Sequence, residues 1–367
     1  MKSAKILVVC DPMLDLRGSV RPALLLAKEL VEKSFDVSML SAAMTSNVKS
    51  ALEDFGVKPV DAKVKLFTRK YGLSMAWFET WLREGFLKLN SRGTHLGAYA
   101  TINFSHTFLQ PSLVWYVQGP PSDALKDIEV EFPVGYRIAY RLLRKFINYA
   151  DEKFIARMAA QSKLVIANSK FCASLYEKRG VYVRDVIYPP IECRFFRPMT
   201  PRPSADYVLA YLGKESRFSI IKKIADEGVK IKAFGFKTSY VPKSLLHHPN
   251  IDYLWNISDT ELADAYSNAL YTLFTFTHEP FGYVPLESMA CGTPAVTHNM
   301  QGPSEYIADG RTGWLANNQE QLIKTSLDVW NNGYSSQMRS NCREYALQFD
   351  VDVFTKKWFG LLDGLAE

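Results

Sequence analysis

The sequence predicts an α/β protein built as two parallel-sheet units in tandem, and three observations carry that expectation. The chain opens on a short apolar run, a helical stretch and a second apolar run, the order of a βαβ unit. A fresh series of strand-length apolar runs starts near residue 207. Between the two series, residues 189–203 are rich in proline and charge, which suits a linker. A chain of 367 residues is long enough for two domains, each with its own core. The expected division is 1–200 and 201–367.

Taken in order, residues 6–9 form a continuous apolar strand, followed by a loop holding Arg17, Gly18 and Ser19. A helix then carries Ala23, Leu24, Leu25, Leu30 and Val31, and residues 35–40 return as a second strand. Such a unit implies parallel pairing and a right-handed crossover. Residues 64–67, 99–104, 113–117 and 164–167 supply further strand candidates. A helix is expected over 136–160, with Leu143, Ile147, Ala150, Phe154 and Met158 at helical spacing and Arg137, Arg141, Arg144 and Lys145 around its first half. That pattern suits an anionic membrane surface, or equally a core helix with a solvated basic face. The second series runs through 207–212, 229–234, 251–254, 271–276 and 295–297, and residues 351–365 close the chain as an amphipathic helix. The DxD triplet Asp350-Val351-Asp352 sits just before that helix, where aspartate is a natural cap, so no metal is expected there.

Composition narrows the class. Apolar residues at 47% and charged residues at 22% are those of a soluble globular protein. Cys10, Cys172, Cys193, Cys291 and Cys342 are scattered without CxxC or CxxH spacing, which argues against a disulfide framework or zinc site and suits a reducing cytoplasm. The first apolar run is too short for a signal peptide, and no stretch approaches the roughly 18 apolar residues of a membrane span. Charge is uneven: residues 1–200 hold 29 Lys and Arg against 19 Asp and Glu, and residues 201–367 hold 15 against 19, which together give the formal +6. The basic half should face something anionic, with peripheral contact on the cytoplasmic face of a membrane as one reading. Nucleic acid is not an expected partner.

The most informative segment is 277–296, THEPFGYVPLESMACGTPAV. An apolar, Thr-rich strand ends just before His278, and Gly282 lets the backbone turn and a ligand approach. Pro285 has the fixed φ of a first-turn helical residue, so a short helix should start near Val284 or Pro285 and stop at Gly292 and Pro294. Its N-terminal N–H groups and dipole attract phosphate. Glu279 and Glu287 flank that turn. Carboxylates beside a diphosphate repel it unless they bind something else, and vicinal hydroxyls of a ribose or hexose each donate a hydrogen bond. Such charge-assisted bonds contribute roughly 1.5–3 kcal/mol each. The plain alternative is an ordinary helix with acidic residues near its N-terminus.

The run from Glu279 to Glu287 resembles the E-x7-E motif of glycosyltransferase family 4, and the resemblance continues through ACGTPAV, QGPSEYI and DGRTGWL. Upstream, IANSKF, YPPIECRFFRP and SDTELADAYSNA are similar to the same family, so the likeness extends over essentially the whole chain. It implies the GT-B fold, two facing Rossmann-like domains with a final helix crossing back to the first. The N-terminal domain would bind the acceptor and the C-terminal one the nucleotide sugar. It further implies a retaining, metal-independent hexose transfer from a nucleotide diphosphate sugar, such as GDP-mannose or a UDP-sugar, to a sugar or lipid-linked acceptor, with no cofactor. The segments WYVQGPP and YPPIECRFFRP resemble lipid-linked oligosaccharide mannosyltransferases more loosely.

Carried over residue by residue, Glu279 and the backbone of Phe281 and Gly282 would hold the sugar, and Glu287 the ribose. The helix start at Tyr283 and Val284, with Lys214 and Arg217, would stabilise the leaving diphosphate. The usual Arg/Lys pair of the family is here Gly213-Lys214-Glu215-Ser216-Arg217, so that loop departs from the pattern. Gln118 stands where the family commonly has a histidine, keeping hydrogen bonding but losing titration. His106 follows a strand and is a catalytic candidate or a structural histidine. Gly18 matches one glycine of the family's usual N-terminal pair, or is a plain turn residue. Basic and aromatic residues over 63–92, with Phe67, Tyr71, Trp77, Phe78, Trp81 and Phe86, suit an amphipathic acceptor or a core helix with a cationic exterior. Another GT-B-like enzyme, a sugar phosphorylase or an epimerase, and a catalytically silent sugar-nucleotide-binding module are the competing readings.

Overall fold

A computed structural model describes residues 5–16, 18–68, 70, 72–87, 100–131, 133–201, 203–235 and 241–364. Arg17, Tyr71, Tyr99 and the expected features at 88–92 and at residue 365 lie outside the described residues.

Two all-parallel sheets organise the chain. The first holds β1 (Lys5–Cys10), β2 (Asp36–Ser41), β3 (Lys58–Asp61), β4 (Ala100–Asn103), β5 (Ser112–Val117), β6 (Ser162–Ala167) and β7 (Asp185–Val186), in the order β3-β2-β1-β4-β5-β6-β7. The second holds β8 (Val208–Leu212), β9 (Ile231–Gly235), β10 (Ile251–Trp255), β11 (Thr272–Phe274), β12 (Ala295–His298) and β13 (Gly313–Ala316), in the order β10-β9-β8-β11-β12-β13. Register in the first follows the buried runs, with Leu7 opposite Ser38 and Val9 opposite Leu40. Both orders reverse direction between the first and fourth strands, β1/β4 and β8/β11, the doubly wound pattern.

The chain divides into two compact units that are discontinuous in sequence, where the sequence reading drew one boundary at 200. The first comprises residues 1–123, 141–189 and 355–367, and the second 124–140 and 190–354. Residues 190–196, inside the expected linker, are fixed within the second unit. Arg343 donates from Nη1 to Phe196 O and from Nη2 to Cys193 O, at 2.8 and 3.0 Å. The end of the final helix, Val351–Asp363, belongs to the first unit, where fully buried Trp358 lies against Phe104 and Tyr116 at 5.5 and 5.7 Å between rings. Asp350, just before that helix, accepts on Oδ1 from Val351 N at 2.9 Å and from Cys193 N at 3.2 Å.

One expected strand is corrected. Residues 64–67 form no strand: the strand beside β2 is Lys58–Asp61, with two further ladder-like bonds from Ala62 N to Ser41 O and Val64 N to Ala42 O. Beyond them the Glu79 carboxylate captures the N–H groups of Phe67 and Thr68 at 3.1 and 2.8 Å, so the chain turns and Phe67 is exposed. A side chain has outcompeted the sheet for two donors. The strands β3, β7 and β13 were not anticipated, being short or, in β3, carrying Pro59.

Helix Leu73–Leu87 mixes both readings of the 63–92 stretch. Trp81 is fully buried and donates to Asp151 Oδ1 at 3.1 Å, while Phe86 stacks on Phe146 at 4.3 Å. All five cysteines are free and buried, and no helix among the described residues is long and apolar enough to cross a membrane.

Candidate functional site

In open parallel sheets of this winding, ligands bind beyond the carboxyl ends of the strands where the order reverses. In the second unit that place is formed by the loop 213–217 after β8 and the loop 275–282 after β11. Most of the sequence-predicted donor residues meet there.

Gly282 has φ +85° and caps helix Tyr283–Ala290, which starts one residue before the earlier of the two expected positions. A Cβ at Gly282 would sit 2.7 Å from Pro303 Cγ, so both backbone and space require glycine. Glu279 folds back onto this turn. Its Oε1 accepts from Phe281 N at 3.4 Å and Gly282 N at 3.2 Å. Tyr306 donates its hydroxyl to Gly282 O at 2.5 Å, and Gly302 N to Glu279 O at 2.9 Å, so the turn is held from both sides. Phe281 is buried, with its ring 5.6 Å from that of Tyr306; Tyr283 and Val284 are half-buried in the first helical turn.

A methyl group at Gly302 would run into Pro280 O. Gly302→Ala is therefore expected to push the 279–282 turn out of place. The check is a loss of the nucleotide-induced rise in melting temperature, while the circular dichroism spectrum stays that of an α/β protein.

The charge balance of the site is unusual. Glu287 is buried and accepts from Tyr266 Oη at 3.2 Å. Glu279 is half-buried, and its carboxyl is pushed up to about 7, first by burial and then by the charge of Glu215. The Phe281 and Gly282 N–H groups and Lys214 oppose that rise. Glu215 is itself pushed up by burial, with Lys214 pulling the other way at 3.6 Å. The phenol of Tyr211, at the end of β8, is raised by burial and then by the charges of Glu215, Glu279 and Glu287. Against them stands Lys214, which is exposed.

Arg217 differs from Lys214. It is buried, donating from Nη2 to Asp127 Oδ1 at 2.6 Å and to Thr277 Oγ1, and from Nη1 to Asp127 O at 3.2 Å. Thr277 in turn donates to Asp127 Oδ1 at 2.6 Å. Three of its five N–H groups are thus committed within the protein.

The remaining predicted residues gather at the corresponding edge of the first unit. Asp11 follows β1, and His106 follows β4. Asp11 Oδ1 accepts from Ser105 Oγ and Thr107 Oγ1, both at 2.5 Å, and from His106 N at 3.1 Å. His106 Nδ1 lies 3.1 Å from Asp11 Oδ2, and its ring packs edge-on to Trp77 at 5.1 Å. Gln118 donates both amide hydrogens, to Phe104 O at 2.9 Å and Ser19 O at 3.1 Å, which leaves only its Oε1 for a ligand. Gly18, φ +64°, opens the short 3₁₀ turn Gly18–Val20 with open space where a Cβ would stand.

Asp11, Asp127, Thr277, Tyr306 and the half-buried Glu215 were not singled out from the sequence. A signal existed for Asp11, which follows the first strand as Gly213 follows β8. Asp127 had none, since its partner lies 90 residues away.

The fold defines the class. It is GT-B, and Anabaena HepE, solved in complex with UDP-glucose, matches it with a TM-score of 0.69 over 98% of this chain and 99% of that one, at 17% identity. Residues 237–349 match the family described as Glycosyl transferases group 1. An alpha-1,3/1,6-mannosyltransferase alg-2 of Neurospora crassa is 34% identical over 77 residues, 20% of this chain and 16% of that protein. A D-inositol 3-phosphate glycosyltransferase of Paenarthrobacter aurescens is 47% identical over 55 residues, 15% of this chain and 14% of that protein. The chain therefore aligns with only about a sixth of the length of these relatives.

Proposed function

We propose that the protein is a retaining glycosyltransferase that moves a hexose from a nucleotide diphosphate sugar to a sugar or lipid-linked acceptor without a metal or cofactor. The observation that carries this reading is the turn 279–282. A half-buried carboxylate, two backbone N–H groups and a helix N-terminus converge there at the switch point of the second sheet. The matching family stretch, the UDP-glucose held by Anabaena HepE and the mannosyl and inositol-phosphate glycosyl transfers named for the curated relatives support it.

In this reading Glu279 keeps Oε1 on its own turn and offers Oε2 to hydroxyls of the hexose, while Glu287 accepts from the ribose. The diphosphate lies toward the N-terminus of helix Tyr283–Ala290, where the helix dipole and Lys214 offset its charge. Arg217 serves as a positioning residue: it fixes Thr277, two residues before Glu279, and adds positive potential to the pocket. In the first unit His106, oriented by Asp11, takes part in holding the acceptor, with Gln118 Oε1 as an additional hydrogen-bond acceptor. The acceptor hydroxyl forms its bond to the anomeric carbon on the face that the diphosphate leaves, and the departing phosphate oxygen takes the hydroxyl proton. No protein nucleophile is then required.

Thermal shift against a panel of UDP- and GDP-sugars tests the reading. The matching donor at about 100 times its dissociation constant should stabilise the fold by about 2.7 kcal/mol. No shift with any nucleotide sugar would remove it. Release of nucleotide only when an acceptor alcohol is present separates transfer from the phosphorylase and epimerase alternatives.

A further inference from the structure

The loop after β8 brings one more acid, Glu215, to the carboxyl end of the second sheet, and its backbone is fixed. Ser216, fully buried, accepts on Oγ from Gly213 N and donates to Tyr211 O, both at 2.9 Å. Arg217 N donates to Thr275 Oγ1 at 2.9 Å, so the far end of the loop is tied as well. Glu215 folds back over the start of the loop: its Oε2 stands 3.1 Å from where a Cβ at Gly213 would be, and its Oε1 lies 3.6 Å from Lys214 Nζ. The Lys214 side chain is 49% exposed and that of Glu215 only 22%, so the ammonium can meet a ligand while the carboxylate stays covered.

Among the described residues whose charges meet here, Glu215, Glu279, Glu287 and Asp127 stand against Lys214 and Arg217, and Arg217 is already paired with Asp127. Burial raises the carboxyls of both Glu215 and Glu279; Glu215 raises Glu279 further, as Asp127 does Glu215. The phenols of Tyr211 and Tyr306 are raised by burial and then by these acids, so neither supplies a charge. Lys214 opposes the rise at both Glu215 and Glu279. A diphosphate that attracts Lys214 withdraws that support and adds negative charge of its own. Glu279 keeps the Phe281 and Gly282 N–H groups on Oε1, which favour its ionised form. Glu215 has only its own N–H and Lys214 to favour ionisation, so it is the weaker holder of charge once the ammonium leaves.

We propose that Glu215 is a positioning residue of the donor site that holds Lys214 in the donor-free protein and takes up a proton from solvent when the diphosphate draws the ammonium away. The carboxylate becomes a neutral carboxyl, Lys214 stays protonated, and Glu279 stays ionised to accept from the hexose. The inference rests on the donor reading above, with the diphosphate beside Lys214.

The test is isothermal titration calorimetry of the full chain with UDP-glucose and with GDP-mannose, in two buffers of different ionisation enthalpy. The difference in heat counts the protons taken up. A nucleotide sugar's diphosphate is esterified at both ends and lacks the second ionisation of a terminal phosphate, at about 6, so the protons counted are the protein's. At about pH 8 the parent should take up about 0.5–1 proton per donor, and its affinity should fall by up to about tenfold per pH unit above neutrality. Glu215→Gln should take up less than about 0.2 proton and bind about tenfold more tightly at that pH, since one negative charge is gone from beside the diphosphate. Lys214→Met should also take up little, because Glu215 without its cation is protonated beforehand, yet bind at least about tenfold more weakly. Equal parent heats in the two buffers, a Glu215→Gln that takes up protons like the parent, or one that binds more weakly at about pH 8 would overturn the proposal and leave the donor reading standing. Binding of neither nucleotide sugar, with no thermal shift across the panel, would remove the donor reading and this proposal together.

Discussion

At about pH 8 the Glu279→Gln variant is expected to melt above the parent protein while transferring sugar about 100-fold or more slowly. The two effects share one cause. Burial and the neighbouring Glu215 hold the Glu279 carboxyl up at about 7, against about 4.3 in an unfolded chain. A carboxyl raised on folding contributes its stability below the unfolded value and loses it as pH rises through the folded one. Above neutrality the parent therefore carries a confined negative charge that costs it stability, with a ceiling of about 4 kcal/mol. Glutamine removes that charge and can still accept from the Phe281 and Gly282 N–H groups through its carbonyl oxygen. What it forfeits is the charge-assisted acceptance of a sugar hydroxyl. Differential scanning fluorimetry at about pH 4 and 8 should show the two proteins melting alike at the lower pH and diverging at the higher. A glutamine variant that melts no higher at alkaline pH, or transfers at the parent rate, would contradict this account.

The Asp127→Ala variant should lose about 3–5 kcal/mol of stability, because it strands a buried guanidinium. Arg217 would keep Thr277 but lose its only ion-pair partner among the described residues, and Thr277 would lose the acceptor of its hydroxyl. The unpaired charge lies near His298, whose imidazole is already held below its usual value by burial and then by Arg217. Urea denaturation of Asp127→Ala, Arg217→Met and the double variant gives the coupling between the two sites. The double variant should recover a large part of the single loss, since both buried charges are then gone. Additive losses would show that Arg217 is held mainly by contacts other than Asp127.

Much of this arrangement was legible before any coordinates. Continuous apolar runs of strand length marked β1, β2, β5, β6 and most of the second sheet, because strands covered on both faces have no polar positions to blur them. The turn at Gly282 and the helix after it were readable because glycine and proline act through backbone geometry, which needs no tertiary context. Less legible were features decided by distant partners. Residues 64–67 have strand-like composition, but Glu79 takes their N–H groups. Arg217 looked like a phosphate ligand from its place after β8. Its commitment to Asp127 depends on a segment, 124–140, that joins the second unit from the first half of the sequence. Gln118 looked available, yet the folded backbone uses both of its donors. Chemistry and local spacing told which residues can act, and only the fold told which are already engaged.

The placement of Trp358 carries a practical consequence for anyone wishing to dissect the protein. A fragment cut after residue 200 would contain β1 to β7 yet lack the indole that covers Phe104 and Tyr116, and Phe104 directly precedes the Ser105-His106-Thr107 hook around Asp11. Removing that lid would bare two aromatic rings to solvent and loosen the hook. The N-terminal half is thus completed by residues 355–364, and an N-terminal fragment prepared by a single cut should be insoluble or poorly ordered unless that segment is supplied in trans.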